Sequence, residues 1–547
     1  MSFDITTRRV LAATVAVLTL AASGAGAQSH DQPRSATPLV GPTDAVYYDV
    51  DRLRTAGLLP TVLMGQRPFS ISELSRLAAL ADSTLQADSA RASRLSWAPD
   101  AISRLARAGS GSRLTGEASR LLGGGSGQLL VLQSSSPVRQ IPFLGLGRSD
   151  ALISTAAEHR AGLLMEEGVL AVAELGLWMG GGPLAVSAST RERLGADDPF
   201  GKRDVFELQT LSARLVLGNA ALTIGRDQLH WAQAATGGLV LSANPRPVDQ
   251  VILSMERPAR MPWFLGALGP TRATLFVADM GGSQRFPNTK LSGYKITILP
   301  HDRLEIGASV LIQWGGDGAP ALSFGETIRD HVPFLDAKGG GAIQVSNKLA
   351  SLDGRLRLHD RTGLTVYGEL AADDLDKGRK LLGMYEDGAQ LLGLRLPSFG
   401  ADGRWDLQVE ARRTGLRFYN HHQFQSGLTV DGAIIGDPLG PNALAGGFQL
   451  RRGLGSTGGA GELEFAVGTE RRSYDVWQTH YPPLEFERTE INAAEWRSRM
   501  ALGLVLRDGA AYSYRARVAG ERIANWSGTA GEVRWGVVSE FGMAVRF

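Results

Sequence analysis

Three groups of aromatic, imidazole and guanidinium side chains are the residues of this chain best suited to meeting a ligand. Arg226, His230 and Trp231 form the first, and Phe418, Tyr419, His421, His422 and Phe424 the second. Trp477, His480 and Tyr481 form the third. An aromatic face stacks on the apolar face of a sugar ring, while imidazole, phenol and guanidinium groups hydrogen-bond its hydroxyls. The chemistry is that of a carbohydrate site; its competitor at every position is plain packing in a plug or an interfacial girdle. Other chemistries find less support. The chain has no Cys, which removes thiol catalysis and thiolate metal sites. Adjacent His421 and His422 on a strand would point to opposite faces, and no H-E-x-x-H spacing backs them, so no metal is expected. Asp373, Asp374 and Asp376 lack the Gly and terminal Glu of a calcium loop and read as a solvated hairpin tip. No G-x-S-x-G turn offers a nucleophile. Glycosidase chemistry needs two facing carboxylates, and 55 Asp and Glu residues offer too many pairs to choose from. No catalytic residue and no cofactor is assigned.

The elements that must position these groups are strands. From Glu532 to Phe547 the chain alternates: Val533, Trp535, Val537, Phe541, Met543, Val545 and Phe547 share one face. Glu532, Arg534, Gly536, Glu540, Gly542 and Arg546 share the other. Side chains of a strand alternate faces with period two, so this is a long strand with one apolar and one polar or small face. Lipid on one side and a wet lumen on the other account for such a strand. The same period recurs in Leu304–Trp314, in Asp406–Arg412, in Glu462–Gly468 and in Tyr512–Val518, each with charge on its second face. From Gln128 to Phe547, at roughly 21 to 26 residues per strand and connection, about 16 to 20 strands fit. A barrel of that width has a lumen larger than side chains alone fill, so it conducts or is plugged by loops folded inward. Three irregular inserts are candidates for plugging: Trp314–Asn347, Gly415–Ala445 and Arg472–Ala493.

Upstream the period is helical. Arg8 and Arg9, the apolar run Val10–Ala22 and Ala25-Gly26-Ala27 make a secretory signal peptide over 1–27, too short to span as a helix. Residues 28–43 read as a flexible lead, 44–109 as three short helices in the periplasm, and Gly/Ser-rich 110–127 as a linker. Gly57 suits a helix stop, and Ser70 with Glu73 fits a capping box, flanked by Phe69 and Leu74 as a hydrophobic staple. Pro99 opens the third helix. So few helical residues fold only marginally alone and are expected to pack against the barrel mouth. Gly supplies 68 of 547 residues, against an average usage of roughly 7%, in keeping with strands whose small positions let neighbours approach. A formal charge of +2 gives no argument for nucleic acid.

Taken together, these segments resemble the capsule assembly proteins of the Wzi family. The resemblance runs from about Tyr47 to Trp477. It is carried by Leu53-Arg54-Thr55-Ala56-Gly57-Leu58, Arg67-Pro68-Phe69-Ser70 and Glu73-Leu74-Ser75-Arg76-Leu77. Ile224-Gly225-Arg226 leads through Trp231 to Gly237-Gly238-Leu239-Val240-Leu241-Ser242-Ala243-Asn244-Pro245. Gln313-Trp314-Gly315-Gly316, Tyr419-Asn420-His421-His422 and Gly436-Asp437-Pro438-Leu439-Gly440 complete it. Trp231-Ala232-Gln233-Ala234 stands where members often carry a Gly-Pro-Gly-like turn, so that loop is expected to differ. The resemblance implies a mostly β protein: a large antiparallel outer-membrane β-barrel of about eighteen strands with a small N-terminal helical domain. It further implies binding of capsular or other exported polysaccharide, which the protein helps to attach or assemble at the cell surface, with no enzymatic activity. Expected partners are outer-membrane lipid, the polysaccharide and periplasmic export proteins meeting the helical domain. A porin-like channel for small solutes is the alternative, and an outer-membrane hydrolase a weaker one.

Overall fold

The computed structural model of the chain describes residues 35–113, 121–136, 138–142, 150–153, 160–201, 204–234, 237–331, 345–373, 388–455, 459–480, 485–509 and 511–547. The expected signal peptide, Asp374, Asp376 and Tyr481 lie outside them.

Eighteen long antiparallel strands form one closed barrel. They are β1 Leu122–Ser134, β2 Gly168–Gly181, β3 Leu184–Gly195, β4 Val205–Leu217, β5 Ala220–Asp227 and β6 Val248–Met255. Next come β7 Pro270–Asp279, β8 Lys290–His301, β9 Leu304–Trp314, β10 Ser346–Arg357, β11 Thr365–Asp373 and β12 Ala389–Phe399. The last are β13 Trp405–Thr414, β14 Ala443–Leu454, β15 Gly461–Arg472, β16 Glu495–Asp508, β17 Tyr512–Ala524 and β18 Val533–Arg546. Each pairs with its neighbours in sequence, and the ring closes where Ser126–Ser134 of β1 run antiparallel to Arg546–Val538 of β18. Closure leaves no strand edge, the condition for crossing a bilayer with strands.

The Gly123–Gly127 run, expected in a linker, lies inside β1. Its glycines make room for aromatic neighbours. A Cβ on Gly124 would stand 2.9 Å from the Trp178 indole nitrogen, and one on Gly125 2.6 Å from the Phe547 ring. A composition that reads as flexible is here a strand with bulky partners.

The faces sort by polarity in the sense opposite to a soluble protein. Phe541 and Trp535 on β18 are exposed, as are Leu352 on β10 and Leu502 on β16, while Glu540, Glu521 and Arg497 are buried inside. An exposed apolar belt of this extent is a lipid-facing surface. Aromatic residues mark both of its rims. Phe206, Trp496 and Trp535 stand towards the end with long loops, and Trp263, Phe264, Tyr512 and Tyr514 at the end with short turns. Such girdles sit at headgroup level.

Short turns define the periplasmic end: Gly182-Pro183, Gly218-Asn219 and Asp302-Arg303 each join two strands there. The helices of residues 44–109 lie at this end. They number four rather than three: α1 Val46–Thr55, α2 Ile71–Gln86, α3 Ser89–Arg94 and α4 Ala98–Ala108. The additional α3 is a turn capped by the Asp88 carboxylate, which accepts from the Arg91 amide at 2.9 Å; it buries no residue and so carries no apolar stripe to reveal it. Ser70 caps α2 by accepting from the Glu73 amide at 3.1 Å. The return half of the expected box is replaced, because the Glu73 carboxylate accepts two bonds from Arg76, at 2.7 and 2.6 Å. Phe69 and Leu74 join one buried cluster. The Asp51 carboxylate on α1 docks the bundle, reaching up to Arg355 of β10 and Arg395 of β12. Arg52 adds a bond to the Pro397 carbonyl at 3.0 Å.

Candidate functional site

The lumen holds a core. Among the described segments that enter it, three interlock around one apolar cluster. From below comes the stretch between α1 and α2: the Met64 and Gly65 amides donate to Glu305 of β9 at 3.1 and 2.7 Å, and Gln66 Nε2 donates to Thr297 Oγ1 at 2.8 Å. The described residues of 228–247, between β5 and β6, fold inward to meet it. There the Arg67 amide donates to the His230 carbonyl at 2.9 Å and the His230 amide donates back at 3.0 Å. From the loop end descends 415–442, between β13 and β14. The Ser242 amide donates to the Ile435 carbonyl at 2.8 Å, and the Tyr419 hydroxyl donates to the Leu239 carbonyl at 2.5 Å. Leu239, Val240, Phe418, Leu428 and Ile434 then pack with Phe276, Leu311 and Leu391 of the wall in one apolar cluster. Polar backbone in a low-dielectric space must find partners, and these reciprocal bonds supply them.

Of the three inserts expected to plug the lumen, Gly415–Ala445 does so. Arg472–Ala493 instead carries a hairpin, Val476–His480 paired with Glu485–Glu490, at the loop end. Trp314–Asn347 contributes the short helix α5, Phe324–Asp330; residues 332–344 of it are not described. The segment 228–247 was not expected to plug, although Trp231 and Gly237–Pro245 carry part of the family resemblance. Its apolar, small-residue composition, Ala232, Ala234, Leu239, Val240 and Leu241, is that of a buried segment.

The candidate ligand residues divide by burial. Trp231 is 1% exposed, with its ring edge-on to Phe276 at 5.3 Å. His230 and Tyr419 are equally enclosed, and the Tyr419 hydroxyl also accepts from the Asp437 amide at 2.8 Å. His421 is buried as well. Its Nδ1 accepts from the amides of Gln423 and Phe424 at 3.2 and 3.3 Å, which ties the tip of the loop. Arg226 lies on the face of β5 that carries exposed Ile224, and pairs with Asp249 of β6 at 3.0 Å. His422 is exposed beside His421, their rings 4.6 Å apart. Trp477 and His480 sit on the outer hairpin, where His480 meets Glu487 at 3.1 Å.

Burial pushes the His421 imidazole down to about 3, with the adjacent His422 adding to the shift. The unfolded side chain takes up its proton near pH 6.5. Between those values the unfolded state binds more protons, so stability falls as pH drops from about 6.5 towards 3. His421→Asn, which keeps an acceptor for the two amides, is expected to flatten this acid limb. Thermal midpoints at pH 7 and pH 4 test it, and an unchanged pH slope refutes it.

At the loop end two connections meet around the exposed imidazole. The Arg285 amide donates to Ser426 Oγ at 2.7 Å, and Gln284 Nε2 donates to the Thr429 carbonyl at 2.6 Å. Phe286 stands edge-on to Phe424 at 5.7 Å. Exposed Arg285 and His422, with half-buried Phe286, Gln423 and Gln425, therefore share one outward surface over the filled lumen. Arg285 and Phe286 were not singled out in the sequence; an isolated Arg-Phe pair in a polar connection carries no spacing signal.

Fold and lumen define the class: an outer-membrane β-barrel with segments of its own chain packed inside. Capsule assembly protein Wzi is the description of the family model that matches residues 144–457, and the chain belongs to that family. It is similar to an uncharacterized 55.8 kDa protein in the cps region of Klebsiella pneumoniae. The two are 26% identical over 241 residues, which is 43% of this chain and 46% of that protein, so the match spans less than half of the relative. Among solved structures it is similar to Wzi of Escherichia coli, described as an outer membrane protein involved in group 1 capsule assembly and a carbohydrate-binding β-barrel. That likeness has a TM-score of 0.64 at 16% identity and covers 92% of this chain and 98% of the other. At such identity it speaks for the fold.

Proposed function

We propose that this protein binds exported polysaccharide at the outer face of the membrane and helps attach or assemble it at the cell surface. The observation that carries this reading is the filled lumen beneath an outward surface of Arg285, Phe286 and His422. Loops packed into the lumen oppose free passage of solutes, while guanidinium, imidazole and aromatic groups at its outer end suit sugar hydroxyls and acidic substituents. Trp477 and His480, on the hairpin between β15 and β16 at the same end, are further candidates, with Tyr481 next in sequence. The helical bundle, presented to the periplasm, is the proposed meeting point for export partners.

Immobilised polysaccharide from the producing organism provides the test. The purified barrel is expected to bind it, and Arg285→Ala combined with His422→Ala to weaken binding about tenfold, the scale of losing one or two hydrogen bonds to charged groups. No binding by the unaltered protein rejects the proposal. The porin alternative is checked in planar bilayers, where steady conductance steps from the intact protein would support it and near-zero conductance would oppose it.

A further inference from the structure

The outer wall carries a groove that the glycan reading does not use. It crosses the six strands β13 to β18 on the lipid-facing side. One bank follows the strand register: Trp405 opposite Arg452, Arg452 opposite Leu463, Leu463 opposite Leu504, and Leu504 opposite Ala516. The other bank runs through Leu450, Phe465, Leu502, Val518 and Ser539. The dent exists because Ala516 and Ser539 are small where neighbouring outward positions are Leu, Phe or Val.

The groove climbs. Trp405 opens β13 at the periplasmic rim, and Arg452 lies two residues from the end of β14. Leu504 is four residues from the end of β16, and Ser539 is midway along β18. The path therefore rises from the headgroup level of the periplasmic leaflet into the bilayer, across five strand spacings or about 24 Å. At its lower end the Arg452 guanidinium rests over the Trp405 ring at 5.0 Å and lies 3.5 Å from Asp402. Arg404 holds the adjoining turn through the Gly455 carbonyl at 2.7 Å. Arg452 and Arg404 place guanidinium groups at that end.

We propose that this groove is a site for one glycerophospholipid of the periplasmic leaflet, an acyl chain lying in the groove and the phosphate meeting Arg452. Continuity with the lipid-facing belt supplies the apolar half of the argument, and the cation at headgroup level the polar half. Neither half needs the extracellular loops.

Native mass spectrometry of the full-length protein, extracted from its own membrane in mild detergent, reads the retained phospholipid. Arg452→Gln is expected to lower retention about tenfold, the loss of a charge-assisted hydrogen bond. Filling the groove by Ala516→Leu with Ser539→Leu is expected to do the same, while Leu352→Ala on β10, outside the groove, leaves retention unchanged. Each variant is first checked for the heat-modifiable mobility of a closed barrel. Should a groove-filling variant fail that check, Ser539→Val alone replaces it. Re-lipidation with phosphatidylglycerol should restore the bound species and diacylglycerol should not. Retention that survives both groove variants overturns the proposal, as does equal loss in Leu352→Ala or equal uptake of the phosphate-free lipid.

Discussion

Trp231→Ala is expected to destabilise the folded barrel by about 3–5 kcal/mol, the usual cost of emptying a large aromatic site in a core. The ring is 1% exposed and lies against Phe276 of β7, and a Cβ added to Gly293 of β8 would come within 3.0 Å of it. Its walls belong to a closed hydrogen-bonded ring that has little freedom to collapse around the void, which places the cost towards the upper end. The midpoint of heat-modifiable migration, or denaturant unfolding in detergent, measures it. At temperatures below that transition, polysaccharide binding should persist. A variant of full stability that no longer binds would instead move Trp231 from the packing of the plug to the ligand.

The second large effect is expected from Asp51→Asn. The carboxylate lies between Arg355 and Arg395, and all three side chains are at most 5% exposed. Neutralising it leaves two buried guanidinium groups short of counter-charge, a loss of about 3–5 kcal/mol. Asp406 compensates in part, since it already meets Arg395 at 3.0 Å and Arg52 at 3.7 Å. Because Asp51 belongs to α1 and both arginines to the wall, the deficit falls on the contact between bundle and barrel. Amide exchange in α1 should accelerate while that of β16–β18 stays slow. Combining Asp51→Asn with Arg355→Met should cost less than the single change, because one unpaired charge disappears with its partner. Uniform exchange across the whole barrel would show that the pair does not act at this contact.

The strands were legible because a membrane barrel writes two environments into every second residue; β18 and β9 could be bounded almost to the residue. Helix starts were equally plain at Ser70 and Pro99. What escaped lay where the signal is tertiary. Gly123–Gly127 looks like a linker until Trp178 and Phe547 are seen to fill the space the missing side chains leave. The segment 228–247 has no period, and its inward path is set by partners as distant as Arg67 and Ile435. The same limit governs the candidate site. Aromatic and imidazole clusters were found, but composition cannot separate a Tyr419 that braces a plug from a His422 that meets solvent. Burial decides that, and burial here depends on which of several loops turn inward.

The seam between β1 and β18 joins residues such as Leu130 and Gly542, which are 412 positions apart in the chain. Neighbouring strands elsewhere close loops of roughly 20 residues, whereas this pairing closes one of about 400; loop-closure entropy alone makes it dearer by roughly 2.7 kcal/mol. No other pair of wall strands lies so far apart in sequence, and contacts of that separation form slowly. Until it forms, both edges stand open with unmet backbone donors and acceptors. The slow step of assembly is therefore expected at the glycine-lined strand that receives Phe547, and a bulky residue at Gly125, pressed against the Phe547 ring and the Gly176 carbonyl, should both delay maturation in the cell and weaken the finished seam.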